Sequence, residues 1–252
     1  MYSPIGDIYM LLEMKRHGWL PNYLLLLAHN VVQFPKEYEK LLEGWRGTLM
    51  LDNSLIELGK PADPEVMLAA CDIAKPNYMA LPDKLSDAAA TLTAVKNAIE
   101  QWAWRAPINT GYMYIPQGSS YQELGDCAVQ MQGINPSRAK MFGLPRVVTN
   151  KLGSRHHALS RLDKLGWPIH LLGMSDNFID DISCFRYPNV TGIDSATPMR
   201  CGYEQIRYYD RGAMRLPEVD REVYMVTCHE FNHCMAYNMG FIQGQIQMVK
   251  RG

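Results

Sequence analysis

Two aspartates stand where a strand-like run meets a turn of small residues, a placement that presents a carboxylate to a ligand. Val190-Thr191 leads into Gly192-Ile193-Asp194-Ser195-Ala196-Thr197-Pro198-Met199-Arg200, and Leu49-Met50-Leu51 leads into Asp52-Asn53-Ser54. Such a pair can divide one substitution at carbon into two steps, with one acid as nucleophile and the other carrying the proton. An aspartate at a strand end also caps the helix that follows, so neither motif decides alone. Four further signals recur along the chain: Leu81-Pro82-Asp83, Ile115-Pro116-Gln117-Gly118, Phe142-Gly143-Leu144-Pro145 and Leu172-Gly173-Met174. Three carboxylates, a carboxamide and glycines that admit close backbone approach suit a ligand with amide-like edges, such as a purine.

The elements that must position these groups alternate along the chain. Strand-like apolar runs lie at 23–29, 47–53, 78–82, 111–116, 140–144, 169–173 and 190–194, with helical patterns at 64–74, 86–102, 121–132, 154–166 and 175–186 between them. Asp63, Ser86 and Ser175 are expected helix caps. Alternation of this kind predicts parallel strands with helical crossovers. Seven strands and a degenerate eighth near the N-terminus fit an α/β fold of the (β/α)8 type, a TIM-like barrel, in one domain over 1–252 with a helical region at 202–252. A Gly-x-Gly-x-x-Gly turn, which would favour a doubly wound sheet, is absent from the sequence. In a barrel the six signals would all fall at the C-terminal ends of strands, around one mouth.

Composition sets broad limits. The 252 residues are 47% hydrophobic and 20% charged, with a net charge of −1, ordinary for a globular chain and without a field that draws it to nucleic acid as a whole. The halves differ: residues 1–126 carry 10 Lys/Arg against 15 Asp/Glu, and residues 127–252 carry 15 against 11. Much of the excess lies between Arg138 and Lys164, a stretch that could hold phosphates or form a solvated helix face. Six cysteines without a Cys-x-x-Cys, and no signal-like opening, lead to the expectation of a reduced, cytoplasmic protein. The apolar run 23–28 is too short to span a bilayer.

Taken together and in order, the motifs resemble the tRNA-guanine transglycosylase family over roughly residues 20–201. The family's Asp-Ser-Gly-Gly-Phe-Gln is similar to Asp52-Asn53-Ser54-Leu55-Ile56-Glu57, and its Leu-Asp-Glu to Leu81-Pro82-Asp83. Its Val-Gln-Gly-Gly is similar to Ile115-Pro116-Gln117-Gly118, and its Gly-Gly-Leu turn to Phe142-Gly143-Leu144. Its Leu-Met-Gly-Val-Gly resembles Leu171-Leu172-Gly173-Met174, and its Phe-Asp-Cys-Val-Leu-Pro-Thr-Arg resembles Ile193-Asp194 through Arg200.

The departures carry information too. The family's double glycine is Ser54-Leu55, its base-stacking aromatic is Ile56, and its Gln is Glu57. The Cys-x-Cys-x-x-Cys…His zinc subdomain of the tRNA enzymes has no counterpart in this sequence. A compact member of that kind resembles the phage branch, which inserts 7-deazaguanines into DNA.

The resemblance implies base exchange without cofactor or metal. Asp194 would be the nucleophile at C1′, and Asp52 the general acid and base. Asn53, Ser54, Glu57, Asp83, Gln117, Gly118, Gly143, Leu144, Leu172 and Gly173 would surround the base, with Asp83 reading its N1–H and 2-amino edge. Arg146, Lys151, Arg155 and Arg200 are the expected phosphate contacts. The partners would be DNA and a free 7-deazaguanine base, with no membrane, in the cytoplasm of a host cell if phage-encoded. A target in duplex DNA would have to be flipped out, at a cost of a few kcal/mol. Two alternatives stand beside this one: the same exchange on tRNA, and a catalytically silent relative that binds DNA.

His229-Glu230-Phe231-Asn232-His233 matches a zinc-protease pattern. A third ligand is required, and the 19 residues after His233 contain no His, Asp or Glu. A small zinc site on Cys228, His229, His233 and Cys234 and a plain terminal helix are the remaining readings of this segment.

Overall fold

The computed structural model describes residues 1–134, 137–175, 178–203, 207 and 233–251, with the backbone alone at 147–149. Eight parallel strands among them form a nearly closed (β/α)8 barrel: β1 (Tyr2–Pro4), β2 (Tyr23–Leu27), β3 (Thr48–Asp52), β4 (Tyr78–Ala80), β5 (Gly111–Tyr114), β6 (Lys140–Pro145), β7 (Ile169–Leu172) and β8 (Val190–Ser195). The hydrogen-bonded order is β1-β8-β7-β6-β5-β4-β3-β2. Between the two end strands, the Leu25 backbone N–H donates to Ser3 Oγ at 2.7 Å, so a side chain bridges the seam. The degenerate first strand is the three residues Tyr2–Pro4, paired with β8 in the register Ser3↔Asp194.

Alternation of side chains along each strand divides the core in two. Outward residues such as Leu24, Leu51, Tyr112, Tyr114 and Leu171 pack beneath the helices. Inward residues, among them Ile5, Tyr23, Leu25, Met50, Met113 and Met141, fill the barrel. The same period turns Asp52 and Asp194, at the last and next-to-last positions of β3 and β8, inward at the C-terminal mouth. In β8 an irregularity opposite Ile169 and His170 sets Val190 and then Gly192 against them. Thr191 is thus the extra residue of a bulge, and Gly192 and Asp194 face the interior.

The helices introduced as they cover the sheet are α1 (Ile8–Arg16), α2 (Ala28–Gln33), α3 (Pro35–Leu42), α4 (Leu55–Leu58), α5 (Pro64–Ala74), α6 (Ala88–Gln101), α7 (Tyr121–Gln132), α8 (Arg146–Leu152), α9 (Arg155–Leu162), α10 (Phe178–Ser183), α11 (Thr197–Tyr203) and α12 (His233–Arg251). One expected cap is corrected. Asp87 rather than Ser86 caps α6, its Oδ1 accepting from the Ala90 N–H at 2.9 Å. The described part of α10 is Phe178–Ser183, so the expected cap at Ser175 adjoins residues outside those described; the Ser175 N–H donates to Asp181 Oδ2. Asp63 does sit at the N-cap of α5, but its side chain makes no capping bond there.

The described part of the expected C-terminal helical region is α12, which returns to the barrel. Asn238 Nδ2 donates to Pro198 O at 2.9 Å, and the Tyr2 N–H donates to Gln243 Oε1 at 3.1 Å. α12 therefore ties β1 to α11, the two segments on either side of the Asp194 strand end. Among the described residues no helix is long and apolar enough to cross a membrane.

Candidate active site

Asp194 is held from two sides. Its Oδ1 lies 2.8 Å from Nε2 of His170 and accepts the Gly173 backbone N–H at 3.0 Å. His170 is fully buried inside the barrel, and its Nδ1 lies 2.8 Å from the hydroxyl of Tyr23. The strand end itself is locked: Tyr2 donates its hydroxyl to Ser195 O at 2.7 Å, and Ser195 Oγ accepts the Thr197 N–H at 3.0 Å, starting α11.

Asp52 ends β3 in a tight turn. Its Oδ2 accepts the Ser54 N–H at 2.7 Å, and Ser54 has a φ of 58°, a left-handed conformation in which a side chain is unfavourable. Burial is the main cause that lifts the Asp52 carboxyl to about 8, with Glu57, Asp194 and Asp83 adding repulsion and the Ser54 bond opposing it. Asp52 is thus protonated at neutral pH.

Asp83 is fastened by two carboxamides from neighbouring strand ends. Asn53 Nδ2 donates to its Oδ1 at 3.0 Å and Gln117 Nε2 to its Oδ2 at 2.6 Å. Burial raises the Asp83 carboxyl to about 6, against the pull of those two bonds. It remains mostly ionised near neutrality, an acceptor fixed in direction.

These groups open into one cavity of about 210 Å³ at the barrel mouth, lined by Asp52, Asn53, Glu57, Asp83, Leu172, Gly173 and Asp194, with Arg146 and Arg200 among its polar lining and Leu25, Leu27 and Ile115 among its apolar lining. That volume lies below the ~300–1,000 Å³ typical of drug-sized ligands, so the cavity suits a small molecule.

Not every expected residue reaches it. Gln117 is fully buried with its amide spent on Asp83 and, through Oε1, on the Ser86 N–H at 3.0 Å, so it orients Asp83 instead of lining the cavity. Gly118 serves helix packing: a Cβ there would stand 2.5 Å from Leu124 N in α7. Gly143 faces the barrel interior, where a Cβ would stand 2.8 Å from Leu172 Cδ1, and Leu144 points outward into the helix layer. The cavity wall at β6 is instead the next residue, Pro145. Ser54 is buried behind the turn, outside the lining.

The expected phosphate contacts divide in the same way. Arg146 and Arg200 line the mouth, and Lys151 is exposed, its Nζ 3.2 Å from Ser86 Oγ. Arg155 is corrected: only 2% exposed, it pairs with the equally buried Asp181 at 3.0 Å and donates to Leu172 O at 2.9 Å and to Gly173 O. It holds the turn that presents the Gly173 N–H to Asp194 and cannot meet a phosphate on the surface.

Sequence reasoning missed Tyr23 and His170. The available signal was a lone imidazole in the apolar run Ile169-His170-Leu171-Leu172, on the same face as Leu172. Cys228 and His229 lie outside the described residues, while His233 and Cys234 open α12. Among the described residues no cluster of three His, Cys, Asp or Glu groups is arranged to hold a metal ion.

No family model matches the chain, and no curated protein does. Among solved structures, 2,3-dimethylmalate lyase, a PEP mutase/isocitrate lyase superfamily member, aligns at 11% identity over 100% of this chain and 93% of its own, with a TM-score of 0.51. An HpcH/Hpal aldolase/citrate lyase family protein from Burkholderia cenocepacia aligns at 11% identity over 81% of this chain and 92% of its own, with a TM-score of 0.49. A citrate synthase variant aligns at 11% identity over 81% and 88%, also with a TM-score of 0.49. At this identity the first likeness is one of fold, a TIM barrel.

Proposed function

We propose that this barrel is a base-exchange transglycosylase that replaces guanine in DNA with a 7-deazaguanine through a covalent glycosyl ester on Asp194. The observation that carries the reading is the contrast between two carboxyls in one cavity. Burial and like charge keep the Asp52 carboxyl protonated at neutral pH, while Asp194 is fixed in direction, its Oδ1 accepting the Gly173 N–H and lying 2.8 Å from His170 Nε2. A carboxyl that keeps its proton suits the general acid, and one held in direction at the cavity edge suits the nucleophile.

In the first half, a lone pair on Asp194 attacks C1′, and the C1′–N9 pair departs with guanine as Asp52 protonates it. In the second half, ionised Asp52 takes a proton from the incoming base, whose nitrogen attacks C1′ and releases the Asp194 carboxylate. Two displacements preserve the configuration at C1′. Asp83, aimed by Asn53 and Gln117, accepts from the N1–H and 2-amino edge common to guanine and its deaza analogues. On this reading Arg146 and Arg200 at the mouth, and exposed Lys151, are the groups that would meet phosphates flanking the flipped nucleotide. Ile56, half exposed on the cavity wall, gives the base an aliphatic face.

The test is incorporation of labelled guanine into duplex DNA and, in parallel, into bulk tRNA, by the wild-type protein and by Asp194→Ala. Label entering DNA only with Asp194 intact is the expected result. Entry into tRNA alone would keep the chemistry and reverse the substrate. Exchange into neither, with 7-cyano-7-deazaguanine also inert, would leave a barrel that binds without reacting.

A further inference from the structure

We propose that Tyr23 and His170 are positioning residues that reserve Oδ1 of Asp194 as a permanent acceptor, leave Oδ2 as the bond-forming atom, and ease departure of the carboxylate when the glycosyl ester breaks. The inference rests on the reading of Asp194 as nucleophile.

The geometry fixes the imidazole. A nitrogen 2.8 Å from a carboxylate oxygen must carry the proton, because two facing lone pairs would repel. Nε2–H therefore donates to Asp194, and in a neutral ring Nδ1 is left to accept from the Tyr23 hydroxyl, also at 2.8 Å. Burial pushes the Tyr23 phenol upward, so it stays a donor across the working pH range. The ring reaches His170 because β8 has no side chain in its path: a Cβ on Gly192 would stand 2.2 Å from Tyr23 Cε1. The second donor, the Gly173 N–H, also points at Oδ1. Among the described residues no hydrogen bond reaches Oδ2, and the carboxylate borders the cavity.

Both donors act on the atom that does not bond to the sugar. When Oδ2 takes C1′, Oδ1 becomes the ester carbonyl and keeps its two partners. When the incoming nitrogen takes C1′, the C1′–Oδ2 pair returns to Asp194 and negative charge reappears across the carboxylate. The His170 N–H then stabilises that charge as it develops, the role of a prearranged oxyanion donor. Without it the charge that returns to the carboxylate loses a donor, so Asp194 is no worse as a nucleophile but a poorer leaving group. Loss of His170 as a donor should therefore make the ester accumulate, which a purely structural role would not do.

Two measurements test this. In unliganded protein labelled with nitrogen-15 histidine, His170 should show a protonated Nε2 and an unprotonated Nδ1, and Tyr23→Phe should mix the two tautomers. In guanine exchange on an oligonucleotide duplex, denaturing gels read the fraction of protein joined to DNA. His170→Met, which lacks the N–H, should slow turnover by roughly tenfold or more while raising the trapped fraction severalfold. His170→Gln, which offers an N–H near the same place, should restore both toward wild type. A proton on Nδ1 with exchange intact would overturn the relay alone, as would a slow His170→Met protein with no rise in ester. Absence of both ester and exchange in the wild-type protein would overturn the transglycosylase reading, and the leaving-group role with it.

Discussion

Gln117 Nε2 stands 2.6 Å from Asp83 Oδ2, and this bond joins the ends of two strands that meet at the cavity floor. The amide donor favours the ionised form of a carboxyl that burial has already raised to about 6. Replacing Gln117 by Met keeps the volume and removes the donor, so the Asp83 carboxyl should rise further. On the proposed reading, ionised Asp83 is the form that accepts from the guanine edge. The acid limb of kcat/KM for guanine exchange should therefore move upward toward neutrality, while the alkaline limb stays in place. A profile shifted in neither limb would show that Asp83 does not read the base.

On the same reading the alkaline limb belongs to Asp52. The carboxyl that protonates departing guanine must hold its proton in the free enzyme, so exchange should fall as pH rises through about 8. Asp52→Asn should abolish turnover.

The same shift has a sign in stability. Folding raises the Asp52 carboxyl from 3.8 to about 8, so its contribution is fully present below 3.8 and is lost as pH rises through about 8. Asp52→Asn is free of that loss. The melting temperature of the variant should gain on wild type between about pH 4 and about pH 8, as followed by thermal unfolding. A constant difference would show that Asp52 is not held neutral by the fold.

Arg146 and Arg155 separate surface charge from structural charge. Arg146 lines the mouth, so Arg146→Ala should weaken duplex binding and reduce the salt slope by about 0.9 if it neutralises one phosphate. Arg155→Met leaves Asp181 buried and unpaired and should cost about 3–5 kcal/mol of stability. Where that variant remains folded, its salt slope should match wild type, as measured by fluorescence anisotropy over a salt series.

The barrel was legible because alternating strand and helix patterns are local properties of the chain. Even the short first strand was expected near the N-terminus, though not its exact residues, since three residues ending in Pro4 carry almost no pattern of their own. The carboxylates at strand ends were legible for the same reason. What the sequence hid were pairings between distant elements. Arg155 at a helix start reads as exposed until Asp181, 26 positions later, is seen beside it with both side chains buried. His170 and Tyr23 read as core until the bulge in β8 and the missing side chain of Gly192 bring them into line with Asp194. Gln117 was expected to contact a ligand but bonds Asp83 and the Ser86 N–H instead, because spacing cannot tell a residue that lines a cavity from one that aims its neighbour.

Ser54 offers a test in which relief of strain and ligand binding separate. It holds a φ of 58°, a region that glycine enters freely, and its buried Oγ has no hydrogen-bond partner among the described residues. Substitution by Gly removes a conformational strain of about 1–2 kcal/mol and an unsatisfied buried hydroxyl worth about 1–3 kcal/mol. Against this, glycine gives the unfolded chain extra freedom of about 0.4–1 kcal/mol and leaves a small void. The net expectation is a gain of about 1 kcal/mol, or about 2–4 °C in melting temperature for a chain of this size. Because Ser54 lies outside the cavity wall, guanine affinity should remain unchanged. Stabilisation together with a loss of affinity would instead mean that the turn shifts when a base binds and brings the Ser54 hydroxyl to it.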